Sequence, residues 1–138
     1  MSGAPNFLPE IRILVRVWHP KKSSEEISSE FALEIDRALD VGSLRNANLN
    51  ARRKDTYCSM VLLEKGQHNL TDAIESCANF FESKRSCVGQ YLTERGRVWA
   101  IIQIFDSNFV EITLDPRLMA KFGMLSVGIN FENHICEC

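Results

Sequence analysis

The side chains best suited to chemistry are three histidines, His19, His68 and His134, and five cysteines, Cys58, Cys77, Cys87, Cys136 and Cys138. Nucleophilic catalysis needs a serine or cysteine within reach of a base, usually histidine. None of these residues sits in a nucleophile motif such as Gly-x-Ser-x-Gly. No glycine-rich loop of the kind that cradles phosphate or a dinucleotide is present. All three histidines fall at predicted strand ends or turns, where a surface role is expected. The tail His134-Ile135-Cys136-Glu137-Cys138 is ligand-like. In an extended chain alternate residues share a face, so His134, Cys136 and Cys138 could converge on a soft metal such as zinc. A closed structural site needs four ligands, and chain ends fray. No metal, cofactor or catalytic residue is therefore assigned.

Carboxylate pairs for acid–base work need burial to shift their pKa, and the acids here fall mostly on predicted solvent faces. Their layout is more informative than their number. The chain carries a net charge of −2. Within it, residues 23–40 sum to −5 and residues 41–54 to +4. Glu25, Glu26, Glu30, Glu34, Asp36 and Asp40 are thus expected on one acidic helix, opposed by Arg37 alone. Arg45, Arg52, Arg53 and Lys54 follow in a basic loop. These neighbours either neutralise each other or leave the helix as a landing surface for a basic partner.

The elements that position these groups follow from periodicity. Residues 11–18 alternate, with Ile11, Ile13, Val15 and Val17 on one side, and predict a half-buried strand stopped by Pro20. Ser23 and Glu26 form a capping-box pattern. Ile27, Phe31, Ile35 and Leu39 then recur every fourth residue, predicting a helix up to Gly42, or one that stops near Leu33. Residues 44–54 read as a loop, 57–63 as a strand and 66–69 as a turn. Leu70, Ile74, Cys77, Phe81, Val88 and Leu92 fit one face of a long helix over 71–92. Residues 98–105 predict a central strand, 106–108 a hairpin turn and 109–114 its partner. Asp115 and Pro116 open a short helix ending near Gly123, and 124–131 form the last strand. The expected fold is two-layer α+β, with a mixed or antiparallel sheet of about five strands and three helices in the order β-α-β-α-β-β-α-β. Residues 1–9 read as a flexible lead-in, 10–132 as a single domain and 133–138 as a tail. If the helices cover one sheet face, the other shows Arg12, Arg16, Trp18, Tyr57, Trp99, Gln103, Glu111, Thr113, Ser126 and Asn130. Tryptophan, tyrosine and arginine are the residue types enriched in binding hot spots.

The length of 138 residues, 45% hydrophobic and 25% charged, fits one globular domain. No apolar run approaches the ~18 residues of a membrane span. The first nine residues lack the basic start and apolar core of a secretory signal. An odd cysteine count with no such signal points to a reducing compartment, so the cytoplasm is expected. A pI near 5.9 argues against a dedicated nucleic-acid binder.

Several stretches resemble a bacterial domain-of-unknown-function family, number four-two-seven-nine. They are the strand over 11–18, Ser24-Glu25-Glu26-Ile27-Ser28, Gly42-Ser43-Leu44-Arg45, the strand around Tyr57 and the long helix containing Leu92. The Arg95-Gly96-Arg97 turn, the strand over 98–105, and Thr113-Leu114-Asp115-Pro116-Arg117-Leu118 with Phe122-Gly123 complete the pattern. Where the family often turns through Leu-Gly-hydrophobic-x-Pro after its first helix, this chain has Phe31-Ala32-Leu33-Glu34-Ile35-Asp36. The resemblance implies no established activity. In size and charge such domains are similar to immunity proteins of toxin systems, which block a toxin's active site. The expectation is a cytoplasmic, non-enzymatic immunity protein whose acidic residues meet a basic toxin domain. The rival is a small-ligand binding or regulatory domain using Arg12, Arg16, Trp18, Tyr57, Trp99 and Glu111 on the sheet face.

Overall fold

β-Branched alternation produces the strand around which the rest is built. In the computed structural model, which describes residues 8–43, 53–106 and 112–134, β1 (Glu10–His19) is the middle of five strands. Its Ile11, Ile13, Val15 and Val17 face the helices and are almost fully buried. α1 (Ser24–Phe31) follows, then β2 (Glu34–Leu39), β3 (Thr56–Gln67), α2 (Leu70–Ser83), α3 (Arg85–Thr93), β4 (Arg97–Ile104), α4 (Pro116–Leu125) and β5 (Gly128–Asn133). The sheet order is β2-β3-β1-β4-β5. All neighbours pair antiparallel except β4 and β5, which run parallel and are joined through α4. The helices lie on one face, giving a two-layer α+β fold with a mixed sheet.

The helix starts are legible. Ser23 and Glu26 make the reciprocal capping box. The Asn69 side chain accepts from the Asp72 N–H and opens α2, and Asp115 caps α4 with Pro116 behind it. The helix ends are less so. Of the two expected ends of the first helix, near Gly42 and near Leu33, the structure takes the earlier: α1 stops at Phe31, because Ala32 turns left-handed (φ 55°) and its N–H closes the last turn. Residues 34–39 then join the sheet as an edge strand. Ile35 and Leu39 satisfy a four-residue spacing equally well as members of a strand, so spacing could not separate the two forms. The expected helix over 71–92 breaks at Lys84 into α2 and α3, giving four helices rather than three. The element order is accordingly β-α-β-β-α-α-β-α-β. The last strand begins at Gly128, not residue 124, since Met124 and Leu125 complete α4. Residues 44–52 of the basic loop expected over 44–54, Glu111 and most of the expected hairpin and strand over 106–114 lie outside the described residues, and 112–115 carry no strand.

The core joins the two layers. Phe31 of α1 packs edge-on to Tyr91 of α3 at 5.4 Å between ring centroids, and Phe81 of α2 edge-on to Phe122 of α4 at 6.2 Å. Such edge-to-face pairs add roughly 0.5–1.5 kcal/mol each beyond area burial.

Candidate functional site

The sheet face that bears no helix carries most of the side chains expected on it, and strand register sets them in rows. Tyr57, Trp18 and Arg97 lie abreast on β3, β1 and β4. Ser59, Arg16, Trp99 and Gly128 form the next row, then Val61, Leu14, Ile101 and Asn130. Trp18 and Tyr57 are in ring contact at 5.4 Å, and the Arg97 guanidinium stands 4.8 Å from the Trp18 ring. Trp99 is 37% exposed, and its ring lies directly over Gly128. Ser126, expected on this face, instead ends α4 in a left-handed turn.

Two arginines of β1 reach toward opposite edges of the sheet. Arg12 donates to Asp36 of β2 at 2.6 Å, and Arg16 donates to Glu132 of β5 at 2.9 Å. Leu14 and Ile101 lie between these spans and are nearly fully buried, although no helix covers them. Long arginine stems shield apolar surface while their charged heads stay near water. Glu132 also accepts from Gln103 at 3.1 Å and from the His134 ring at 2.9 Å. Burial alone pushes its carboxyl up. The bonds from His134, Gln103 and Arg16, with the Arg16 charge, outweigh that and hold it at about 2. Buried Ser59 Oγ, Gln103 Oε1 and Arg16 Nε have no hydrogen-bond partner among the described residues. Glu132 was missed from the sequence because the last strand was ended one residue short of it.

The six acids expected on one helix divide between three segments. Glu25, Glu26 and Glu30 are on α1, Glu34 and Asp36 on β2, and Asp40 follows β2. All six are exposed, and α1 packs beside β2. Four have internal work. Glu26 completes the capping box, Glu30 pairs with Lys22 at 2.8 Å, Asp36 pairs with Arg12, and Asp40 accepts the Ser24 N–H at 2.8 Å. Glu25 and Glu34 have no partner among the described residues.

A third cluster joins β1 to α1 and α3. His19, expected at the surface, is 2% exposed. It is in phase with Ile11, Ile13, Val15 and Val17, and that phase was the signal for its burial. Its Nδ1 accepts the Lys21 and Lys22 N–H groups at 3.0 Å each, so in the neutral ring Nε2–H donates to Glu94, also at 3.0 Å. That bond from His19 is the main cause that lowers the Glu94 pKa. The Lys22 pKa is raised, first by its bond to Glu30. Tyr91 is fully buried, and burial with the nearby Glu30 charge pushes its hydroxyl up. Burial likewise raises the Cys87 thiol, so none of these groups is tuned as a nucleophile. The arrangement ties the turn after β1 to two helices.

Cys58 and Cys77 are buried thiols, as their apolar settings predict, and burial raises them to about 11 and about 12. His134 bonds Glu132, whereas Cys136 and Cys138 lie outside the described residues. No described helix is long and apolar enough to cross a membrane. The chain matches no family model, no curated protein and no solved structure, so a functional reading has to be carried by its own residues.

Proposed function

We propose that this chain is a binding module of the immunity type, which neutralises a cognate bacterial toxin domain in the cytoplasm by occluding its active site. The observation that carries the reading is the placement of the acids. Glu25, Glu26 and Glu30 on α1 and Glu34 and Asp36 on β2 are exposed on two elements that pack together at one border of the sheet. A toxin that cleaves nucleic acid carries basic groups for the phosphates, and a strip of carboxylates at strand and helix spacing competes for them. The resemblance in size, charge and short motifs points the same way. Glu25 and Glu34 have no partner among the described residues, so they are the residues to test first. Co-expression with the proposed partner, a basic toxin domain, rescues growth, and the double substitution Glu25→Lys, Glu34→Lys abolishes rescue while leaving the melting temperature unchanged. Equal rescue by the substituted chain refutes the acidic strip as the contact.

A second reading is favoured by the helix-free sheet face. Trp18 in tilted ring contact with Tyr57 and beside the Arg97 guanidinium, with the exposed Trp99 in the next row, is a surface of hot-spot residue types. In this reading the same face binds a small ligand or a regulatory partner. Trp99→Ala then removes binding and the acid substitutions leave it intact.

A further inference from the structure

The helix layer does not close over the whole sheet. α1 packs against β3, and α2 buries Ile74, Cys77 and Phe81 in the core it shares with β1. The β1–β3 register slips between Ile11 and Ile13 and again between Ile13 and Leu14, so the ladder is irregular beside Leu62 and Leu63. A cleft of about 280 Å³ opens between this irregular stretch and the first turns of α2. Among the described residues its apolar lining is Ile13, Leu62, Leu63, Ala73 and Cys77. Burial holds the Cys77 sulfur as a neutral thiol, consistent with a dry wall.

Of the polar groups at its rim, Asn69 and Ser76 can donate as well as accept, and Asp72 alone carries a full charge. His68 Nε2 lies 3.3 Å from the Glu64 carbonyl oxygen, which can only accept, so that nitrogen donates there and holds the ring at the edge of the cleft. Gly66 leaves that ring its place, since a Cβ on Gly66 would stand 3.2 Å from Nε2. The Asn69 side-chain oxygen is occupied by the Asp72 N–H. The Asp72 carboxylate has no partner among the described residues, and it is the sole full charge lining the cleft there.

We propose that this cleft binds a small amine with an apolar body, the body against Leu62, Leu63 and Ala73 and the ammonium on Asp72. The volume lies just under the ~300–1,000 Å³ of sites for drug-sized ligands, so the occupant is compact. An anion of the same shape meets the Asp72 charge, and a neutral analogue forgoes it. The inference is independent of toxin binding, because α1 and β2 do not line the cleft.

The test compares three probes of one shape, 2-phenylethylamine, 2-phenylethanol and 3-phenylpropionate, titrated into the full ¹⁵N-labelled chain. Phenylethylamine is expected to shift the amides of residues 62, 63, 68, 72, 73 and 76 in a saturable way. Its affinity exceeds that of the carboxylate by about fivefold or more, the worth of one unpaired surface charge at contact distance. Asp72→Asn removes the preference without removing the shifts caused by phenylethanol. Ser76→Trp, at an exposed position on the rim, blocks all three probes. The proposal is overturned by an absence of saturable shifts, by shifts elsewhere on the molecule, or by equal affinity for amine and carboxylate. Should the tryptophan variant misfold, the amide map and Asp72→Asn decide the matter between them.

Discussion

Two residues show how much of the sheet face depends on single atoms. A Cβ placed on Gly128 would stand 2.5 Å from the Trp99 ring, closer than packed atoms tolerate. Gly128→Ala is therefore expected to displace the indole and cost about 1–3 kcal/mol, as overpacking does. A fall in the urea midpoint with a red shift in tryptophan fluorescence checks it. Glu132 governs a pH effect. Its folded pKa of about 2 lies below the ordinary 4.5, so the folded state favours the charged form. The stability this gives is present above about pH 4.5 and is lost as pH falls toward 2. Glu132→Gln is expected to lower stability at neutral pH and to flatten the decline between those values. An unchanged acid limb in the substituted protein contradicts the role given to Arg16, Gln103 and His134.

At the scale of elements, α1 ends on an alanine that has no reason to prefer its conformation. Ala32 is exposed at φ 55°, a region that costs a non-glycine residue roughly 1–2 kcal/mol. Ala32→Gly relieves that strain, offset in part by the greater freedom of glycine in the unfolded chain. A net gain of up to about 1 kcal/mol is expected, and Ala32→Val is expected to destabilise. Thermal melts of the two variants distinguish these outcomes. The same residue explains what could and could not be read from the sequence. β1, the capping box at Ser23 and the Asp115-Pro116 start of α4 were legible, because alternation and caps are local signals. The sequence leaves the end of α1 between Leu33 and Gly42, because its left-handed residue is neither glycine nor asparagine and spacing alone does not choose. The break at Lys84 carries no glycine or proline either, and Phe81 and Val88 keep helical phase across it. The sheet order, with β1 at its centre, depends on packing between distant segments, which no local pattern reports. The six acids divide between α1, β2 and the segment after it because the four-residue spacing of Ile35 and Leu39 fits a strand as well as a helix. The sheet face was read better, since alternation in β1 and β4 assigns Arg12, Arg16, Trp18, Trp99 and Gln103 to one side whatever the strand order.

For the molecule as a whole, the near-zero net charge conceals an arrangement. Most of the acids of residues 23–40 stabilise the fold through Lys22, Arg12 and the start of α1, leaving Glu25 and Glu34 uncommitted on the border formed by α1 and β2. A partner steered by that border associates faster at low ionic strength, because exposed charges are screened over about 10 Å at 0.1 M salt. The most direct test of the account is the association of the purified chain with its proposed partner, a basic toxin domain, followed by surface plasmon resonance across a salt series. A stable complex is expected, with an association rate that falls as salt rises. In the Glu25→Lys, Glu34→Lys chain the rate is expected to drop about tenfold and to lose most of its salt dependence. No complex at micromolar concentration, or a complex whose rates ignore both salt and the two substitutions, contradicts it.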